Sequence, residues 1–338
     1  MAKLSLGIAT AHGPLLSTPP DQWWQRGEAD RRGFFELFYK GKLYTFDELV
    51  KERADENIAE LQLNPQVMAE RHAACQAAIA TLAETFEKSA PDLALVIGDD
   101  QHESFLDDNM PAFAVYYGDK IDNLPMSAEE QAKRAPGENL ADWSHRPPEG
   151  ATYEGAPELA MHLLKSLITD EFDVAYSKKL PAGRHGNHSI SHAFGYVYRR
   201  VMNDEVVPNV PVYINTFYPP SQPTLKRCYD FGKALRRAVE SYPGDQSVAV
   251  IASGGLTHFV VEEDVDKEFL DALLSEDEKR ITSLPLELYN GGTSEARNWI
   301  ATAGAMAGTG LHPQLIDYVP CYRTEGGTGN AMGFVQWV

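Results

Sequence analysis

The sequence is poor in cysteine. Only three cysteines occur in 338 residues, Cys75, Cys228 and Cys321, and no two of them form a Cys-x-x-Cys pair. An odd number of widely separated cysteines argues against a disulfide framework and against a thiolate zinc site.

Long apolar runs are also missing. No stretch approaches about 18 consecutive apolar residues, the length typical of a membrane-spanning helix. Residues 1–13 lack a basic segment followed by a long apolar run, which is the pattern of a signal peptide. The sequence therefore predicts a cytoplasmic protein with no membrane partner.

Positive charge is scarce. Lysine and arginine total 30 against 49 aspartates and glutamates, so the net charge is −19. Such a surface repels nucleic-acid phosphates and anionic membranes, and neither is an expected partner. An anionic small molecule would also be repelled at long range and would need a local basic pocket. Arg184 and Arg323 are candidates for that pocket, and the sequence does not choose between them.

Short apolar runs that end in turn residues indicate buried strands. These runs are Leu4–Ala9, Leu93–Ile97, Ala112–Tyr117, Val210–Asn215 and Val248–Ala252. Helices are predicted between them: one begins at Asn64-Pro65, a second near Pro223, and a third near Ser275, where Glu278 completes capping-box spacing.

Alternation of strands and helices predicts an α/β fold with a central, mostly parallel or mixed sheet flanked by helices. No internal repeat or clean linker divides the chain, so we expect a single domain spanning residues 1–338. Residues from about 118 to 157 are rich in Pro, Gly, Asp and Glu and have weak periodicity. They are predicted to form an irregular surface insertion, and a C-terminal extension is predicted from about residue 280.

Histidines follow three of the predicted strands. His12, His102 and His258 each come shortly after an apolar run, with Gly or Pro nearby, and His185, His188 and His192 crowd into one further segment. In open α/β sheets, ligands bind beyond the carboxyl ends of the strands. Two imidazoles and a carboxylate with open coordination positions form the facial triad of non-haem iron(II) oxygenases. Zinc also accepts such ligands, so these residue types do not identify the metal.

The motifs around these histidines resemble those of the class III extradiol dioxygenases, the superfamily of the protocatechuate 4,5-dioxygenase catalytic subunit. They are Thr-Ala-His-Gly-Pro at His12, Gly-Asp-Asp-Gln-His-Glu at His102, Ser-His-Ala-Phe-Gly at His192 and Gly-Gly-Leu-Thr-His at His258. The resemblance runs in the expected order over roughly residues 4 to 270. The long C-terminal part is similar to the gallate and 3-O-methylgallate dioxygenase branch.

The resemblance implies iron(II) ligands His12, His102 and Glu268. It implies that His192 transfers protons during catalysis, with His188 as the alternative, and that His258 lines the pocket near the substrate. The implied reaction opens the ring of a small aromatic acid, such as gallate, 3-O-methylgallate or protocatechuate, and inserts both atoms of O2. The resemblance further implies a homodimer.

Two other function classes remain open at this point. The first is a zinc-dependent hydrolase that uses the same ligands on an amide or ester. The second is a non-catalytic binding protein that keeps the fold. A requirement for ferrous iron with consumption of oxygen separates the expected dioxygenase from both.

Overall fold

A computed structural model describes all 338 residues. The chain forms thirteen β-strands, in this order: β1 Lys3–Thr10, β2 Leu37–Tyr39, β3 Lys42–Tyr44, β4 Leu93–Gly98, β5 Phe113–Tyr116, β6 Lys120–Asn123, β7 Ala151–Glu154, β8 Ala175–Ser177, β9 Asn209–Ile214, β10 Ser247–Ser253, β11 His258–Val260, β12 Pro313–Tyr322 and β13 Thr328–Trp337.

Eleven α-helices accompany the strands: α1 Trp23–Arg31, α2 Phe46–Glu52, α3 Ile58–Gln62, α4 Pro65–Ser89, α5 Ala128–Lys133, α6 Pro157–Thr169, α7 His192–Tyr196, α8 Leu225–Ser241, α9 Glu263–Leu274, α10 Glu278–Thr282 and α11 Ala296–Met306. No helix of the structure combines the length and apolar character needed to cross a membrane.

Nine strands form one mixed sheet, which confirms the predicted fold class. Its order is β11-β13-β1-β10-β4-β9-β5-β8, and β12 pairs with β13. The central strands β1, β10, β4 and β9 are parallel neighbours. Strand β13 runs antiparallel to the strands beside it, and β5 runs antiparallel to β9 but parallel to β8. The carboxyl ends of the parallel strands therefore meet at one edge of the sheet.

Both faces of the sheet are covered by apolar side chains. Along β4, Leu95 and Ile97 belong to one hydrophobic cluster, while Ala94 and Val96 belong to the other, because successive side chains of a strand point to opposite faces. Helices α8 and α11 contribute to the first cluster and α4 to the second. A strand that is buried on both faces has an uninterrupted run of apolar residues in its sequence, and β4 has such a run.

The five strands predicted from apolar runs are all present, and so are the first two predicted helices. Helix α4 begins at Pro65, and the Asn64 side chain accepts a hydrogen bond from the Gln66 amide at 2.8 Å. The third predicted helix is present as α10, which begins at Glu278. Its cap is Asp277 and not Ser275: the Asp277 side chain accepts a hydrogen bond from the Arg280 amide, and Ser275 is the residue that directly follows α9.

Two segments are more regular than expected. The predicted irregular insertion contains the antiparallel pair β6–β7, helix α5 and a short 3-10 helix over Glu138–Ser144. The predicted C-terminal extension contains α11, β12 and β13, and β13 lies inside the main sheet between β11 and β1. The single-domain organisation stays a prediction.

Candidate metal centre and active site

A polar cavity opens at the carboxyl ends of the parallel strands. Only five of its twenty lining residues are hydrophobic. His12 follows β1, Gln101 and Glu103 follow β4, and His258 begins β11 just after β10 ends. The fold thus brings side chains from separate parts of the sequence to one sheet edge, where ligands of α/β proteins bind.

Glu295 is a buried carboxylate of this cavity with close contacts at both of its oxygens. It ends a 3-10 helix immediately before α11, and its side chain is 1% exposed. Its Oε2 accepts a hydrogen bond from the Gly255 amide at 2.6 Å and lies 3.4 Å from His12 Nε2. Its Oε1 lies 3.3 Å from His258 Nε2. The two imidazoles hold the pKa of Glu295 well below its ordinary value, although burial acts in the opposite direction.

The His258 ring is fixed from both ends. Its Nδ1 donates to the Leu256 carbonyl at 2.8 Å, so that nitrogen carries a proton and Nε2 is directed at Glu295. A Cβ at Gly255 or Gly292 would overlap the ring, so the Gly-Gly pairs before Leu256 and Thr293 leave space for it. This close approach explains the glycines on physical grounds.

His12 and His192 face each other. Their Nε2 atoms are 3.2 Å apart, and His12 Nδ1 lies 2.9 Å from Ser253 Oγ at the end of β10. The Nε2 of His12 therefore lies close to both His192 and Glu295, while its Nδ1 contacts the hydroxyl of Ser253 in β10. A nitrogen oriented in this way by a contact to the other ring nitrogen is typical of metal-binding histidines.

His192 belongs to a charged chain. Its Nδ1 is hydrogen-bonded to Glu103 Oε2 at 2.5 Å, and Glu103 Oε1 accepts from Arg146 at 2.8 Å. Burial alone would lower the pKa of His192, but the charge and hydrogen bond of Glu103, together with the charges of Asp99 and Glu295, raise the pKa to about 9. Glu103 thus fixes the ring orientation and leaves Nε2 facing the cavity.

Asp99 is a second buried carboxylate beside this group. Its Oδ1 accepts a weak hydrogen bond from Asn298 at 3.3 Å, and its Oδ2 is buried with no hydrogen-bond partner. Burial, followed by the charge of Glu295, raises the pKa of Asp99 to about 7. A buried oxygen without a partner is unfavourable and calls for an explanation.

A metal ion fits this donor set. One ligand atom each from His12, Asp99 and His192 lie within 4.8 Å of one another. Glu295 adds a carboxylate next to His12, so a cation would offset two buried negative groups and satisfy the free oxygen of Asp99. Imidazole and carboxylate donors suit both iron(II) and zinc.

The structure does not bring Glu268, which the resemblance implied as the carboxylate ligand, into this group. This glutamate is on the exposed side of α9, where both carboxylate oxygens accept hydrogen bonds from Arg280 at 3.0 and 2.9 Å. The first turn of α9 is acidic because a helix N-terminus favours negative charge. The buried carboxylate beside the histidines is Glu295, 27 positions further along the chain than Glu268.

His102 is not brought to His12 either. Its ring stacks on Tyr218 with centroids 3.8 Å apart, and Nε2 lies 3.3 Å from the exposed Asp107. Its backbone adopts a left-handed conformation with φ of 61°, and the residues on either side, Gln101 and Glu103, line the cavity although His102 does not.

His188 lies away from the cavity, where its Nδ1 is 2.6 Å from the Leu180 carbonyl. Of the two histidines considered for proton transfer, His192 is the one that lines the cavity.

The two candidate arginines have different environments. Arg184 lines the cavity and is exposed, with Nε donating to His185. Arg323 is fully buried and donates to both oxygens of Asp30 at 2.7 and 2.8 Å. A guanidinium that is fully paired in this way has no free donors for a substrate on that side.

Sequence reasoning missed Glu295, Asp99 and Glu103. Glu295 stands in Gly-Gly-Thr-Ser-Glu, which parallels the Gly-Gly-Leu-Thr-His of His258, and that pairing was an available signal. Asp99 directly follows the apolar run of β4, the position at which His102 alone was considered.

The family model and the two relatives that match this chain are all described as dioxygenases. The family described as "Catalytic LigB subunit of aromatic ring-opening dioxygenase" matches residues 66–327, more than half of the chain. Gallate dioxygenase of Pseudomonas putida is 34% identical over 194 residues, which cover 54% of this chain and 54% of the relative. The 2,3-dihydroxyphenylpropionate/2,3-dihydroxicinnamic acid 1,2-dioxygenase of Comamonas testosteroni is 27% identical over 200 residues, which cover 59% of this chain and 52% of the relative. The matched region thus spans about half the length of each relative.

Proposed function

This chain belongs to the family of the catalytic LigB subunit of aromatic ring-opening dioxygenases, and from that premise we propose that it is an iron(II)-dependent extradiol dioxygenase. Its proposed substrates are O2 and a catechol- or gallate-type aromatic acid. The main support is the buried Glu295 carboxylate held between His12 and His258 in a cavity that arginines also line. A cavity with metal-binding donors and cationic side chains suits a substrate that combines hydroxyl groups with a carboxylate.

We propose His12 and Glu295 as iron ligands. When bound, iron(II) would lower the pKa of the phenolic hydroxyls of the substrate and bring the substrate and O2 together. The third ligand has two candidates. One is His102, as the resemblance implies, which requires its ring to leave Tyr218. The other is His192 together with Asp99, whose ligand atoms already lie close to His12.

The two ligand sets predict different proton-transfer residues. If His102 binds the metal, the Nε2 of His192 is free to exchange a proton with the substrate, and Glu103 stabilises the charged form of the ring. If His192 binds the metal, His145 and His258 are the remaining imidazoles of the cavity, and the Nε2 of His258 is directed at Glu295. We favour the first set, in which His258 lines the substrate pocket.

Metal content of two alanine variants distinguishes these sets. His102→Ala should lose iron while His192→Ala keeps it, if the favoured set is right. His312→Ala is a matched control, because His312 is exposed and its partner Glu276 lies outside the cavity. Iron loss in His192→Ala with retention in His102→Ala would establish the other set.

The substrate class is proposed from the relatives and from the cavity. Gallate is the substrate named for the Pseudomonas relative, and we propose that gallate, 3-O-methylgallate or protocatechuate is opened next to its diol, with both oxygen atoms retained in the product. The expectations of a homodimer and of a cytoplasmic location remain proposals, which size-exclusion chromatography and fractionation would test.

Oxygen uptake tests the proposed function. Protein loaded anaerobically with iron(II) is offered the three acids in parallel, and a zinc-loaded sample serves as the control. Uptake with loss of the aromatic absorbance in the iron sample alone supports the proposal. No uptake with any catechol, despite one bound iron per chain, would contradict it and favour the hydrolase or binding-protein alternative.

A further inference from the structure

Arg26 is a buried cation on the wall of the candidate active site. It lies in α1, lines the same cavity as His12 and Glu295, and is only 2% exposed. No sequence pattern pointed to this residue, because α1 has no clear apolar stripe and Arg26 stands outside every motif described above.

The guanidinium of Arg26 lacks hydrogen-bond partners. Its Nε and Nη1 atoms are buried and unpaired. The nearest carboxylate is Glu138, whose Oε1 lies 3.6 Å from Nη1, outside hydrogen-bond distance. The other carboxylate oxygen of Glu138 already accepts from Arg134 Nε and from the Ala135 amide. Buried guanidinium donors without a hydrogen bond are unfavourable, so their presence points to a partner that binds there.

The other arginines of the cavity are already engaged or exposed. Arg134 and Arg146 both donate to Asp142, and Arg146 also donates to Glu103. Arg184 is exposed and donates to His185. Arg26 is therefore the buried arginine of this cavity whose donors remain free.

Aromatic side chains adjoin Arg26. Its guanidinium carbon lies 4.8 Å from the centre of the Phe35 ring, and Phe35 stacks on Phe259 with centroids 4.4 Å apart. Both phenylalanines line the cavity. A cation beside stacked aromatic rings suits a ligand that is itself a flat ring carrying a negative group.

We propose that Arg26 binds the carboxylate of the aromatic substrate and makes the enzyme select ring acids over neutral catechols. This inference rests on the proposed function for the identity of the ring and extends it to the group that the protein recognises. The net charge of −19 repels an anionic substrate, so the protein needs a local cation to bind one, and the proposed contact with Arg26 supplies it. A hydrogen bond between two charged groups in a buried site is among the stronger polar contacts.

Calorimetric titration tests the proposal with two ligands that differ only in the carboxylate. Gallate and pyrogallol are titrated into protein prepared without added metal, and again into the anaerobic iron(II) form. Arg26→Met should weaken gallate binding about 10- to 100-fold and change pyrogallol binding by less than about 3-fold. Arg26→Lys keeps the charge and should lie between Arg26→Met and the unchanged protein.

Two further variants complete the design. Glu138→Gln removes the carboxylate nearest to Arg26 and should tighten gallate binding about 3-fold or more, an effect that misfolding would not produce. Arg280→Met removes an exposed arginine outside the cavity and should leave both ligands unaffected.

Equal losses for gallate and pyrogallol in Arg26→Met, or no loss for either, would overturn the proposal, and so would the absence of gallate binding to both forms of the unchanged protein. Failure of the proposed function gives a different result: the Arg26-dependent preference for gallate persists, but the iron-loaded protein consumes no oxygen.

Discussion

The buried pair Asp30–Arg323 should be a main support of the wall that carries Arg26. Asp30 lies in the same helix as Arg26, and Arg323 lies just after β12, so the pair ties α1 to the main sheet. Asp30 accepts two hydrogen bonds from Arg323 and a third from the Thr328 hydroxyl at 2.6 Å. Both side chains have 0% exposure, so no water can replace the lost partner.

Asp30→Asn keeps the shape of the side chain but leaves a buried guanidinium without its counter-charge. Breaking a buried ion pair from one side costs about 3–5 kcal/mol. With a urea m-value of about 3 kcal/mol/M, at the upper end for small proteins, the unfolding midpoint should fall by about 1 to 1.7 M. The matched control is Glu268→Gln. It also removes a carboxylate that accepts two hydrogen bonds from one arginine, Arg280, but on the surface, so it should hardly change the urea midpoint of unfolding.

The reasoning fails if the two variants unfold at the same urea concentration. It also fails if Arg323→Met abolishes gallate binding without loss of stability, because Arg323 would then act as the substrate-binding cation that the sequence allowed it to be.

Further predictions concern the metal and pH. Glu295→Gln should weaken iron binding by more than about 100-fold in a metal titration, whereas Glu268→Gln should bind iron normally. His12→Ala should lose the metal. His192→Ala should keep it and lose about 10²- to 10⁴-fold in turnover, and normal turnover would contradict its role in proton transfer. Burial lowers the pKa of His145 to about 4, so between pH 6.5 and pH 4 the unfolded chain binds a proton at this residue that the folded chain does not bind. The contribution of neutral His145 to the free energy of unfolding is therefore complete above pH 6.5 and is lost as the pH falls towards 4, by about 2 kcal/mol at pH 5. A His145→Asn variant that shows the same decline in urea unfolding would contradict this.

The fold was largely predictable because strands that are buried on both faces of a sheet have continuous apolar runs in their sequences. The apolar runs of β1, β4, β9 and β10 cannot be surface segments, and their spacing requires helices between them. Strand β13 was missed because its glycines, at Gly329 and Gly333, interrupt the run. They are needed where the Cys321 carbonyl and the Leu256 and Trp299 side chains approach the strand.

The site was only partly predictable. A histidine after a strand, or a cluster of histidines, is uncommon enough to be noticed, so His12 and His258 could be selected by the first pattern and His192 by the second. A carboxylate is not, because the chain holds 49 acidic residues and exposure separates them only in three dimensions. Glu268 lies in the middle of α9 and Glu295 directly precedes α11, and what distinguishes them is that Glu295 is buried against two imidazoles. Arg26 could not be selected for the same reason, since buried donors without a hydrogen bond can be recognised only when their surroundings are known.

Labelled oxygen tests the central claim most directly. Iron(II)-loaded protein is supplied with gallate under 18O2, the reaction is stopped early, and the ring-opened product is analysed by mass spectrometry, with Glu295→Gln and Glu268→Gln treated in parallel. The proposed function predicts that both labelled atoms enter the product with the unchanged protein and with Glu268→Gln, and that Glu295→Gln forms no product. A product that carries no label would contradict ring opening by a dioxygenase, and equal product from both variants would contradict the metal centre at Glu295.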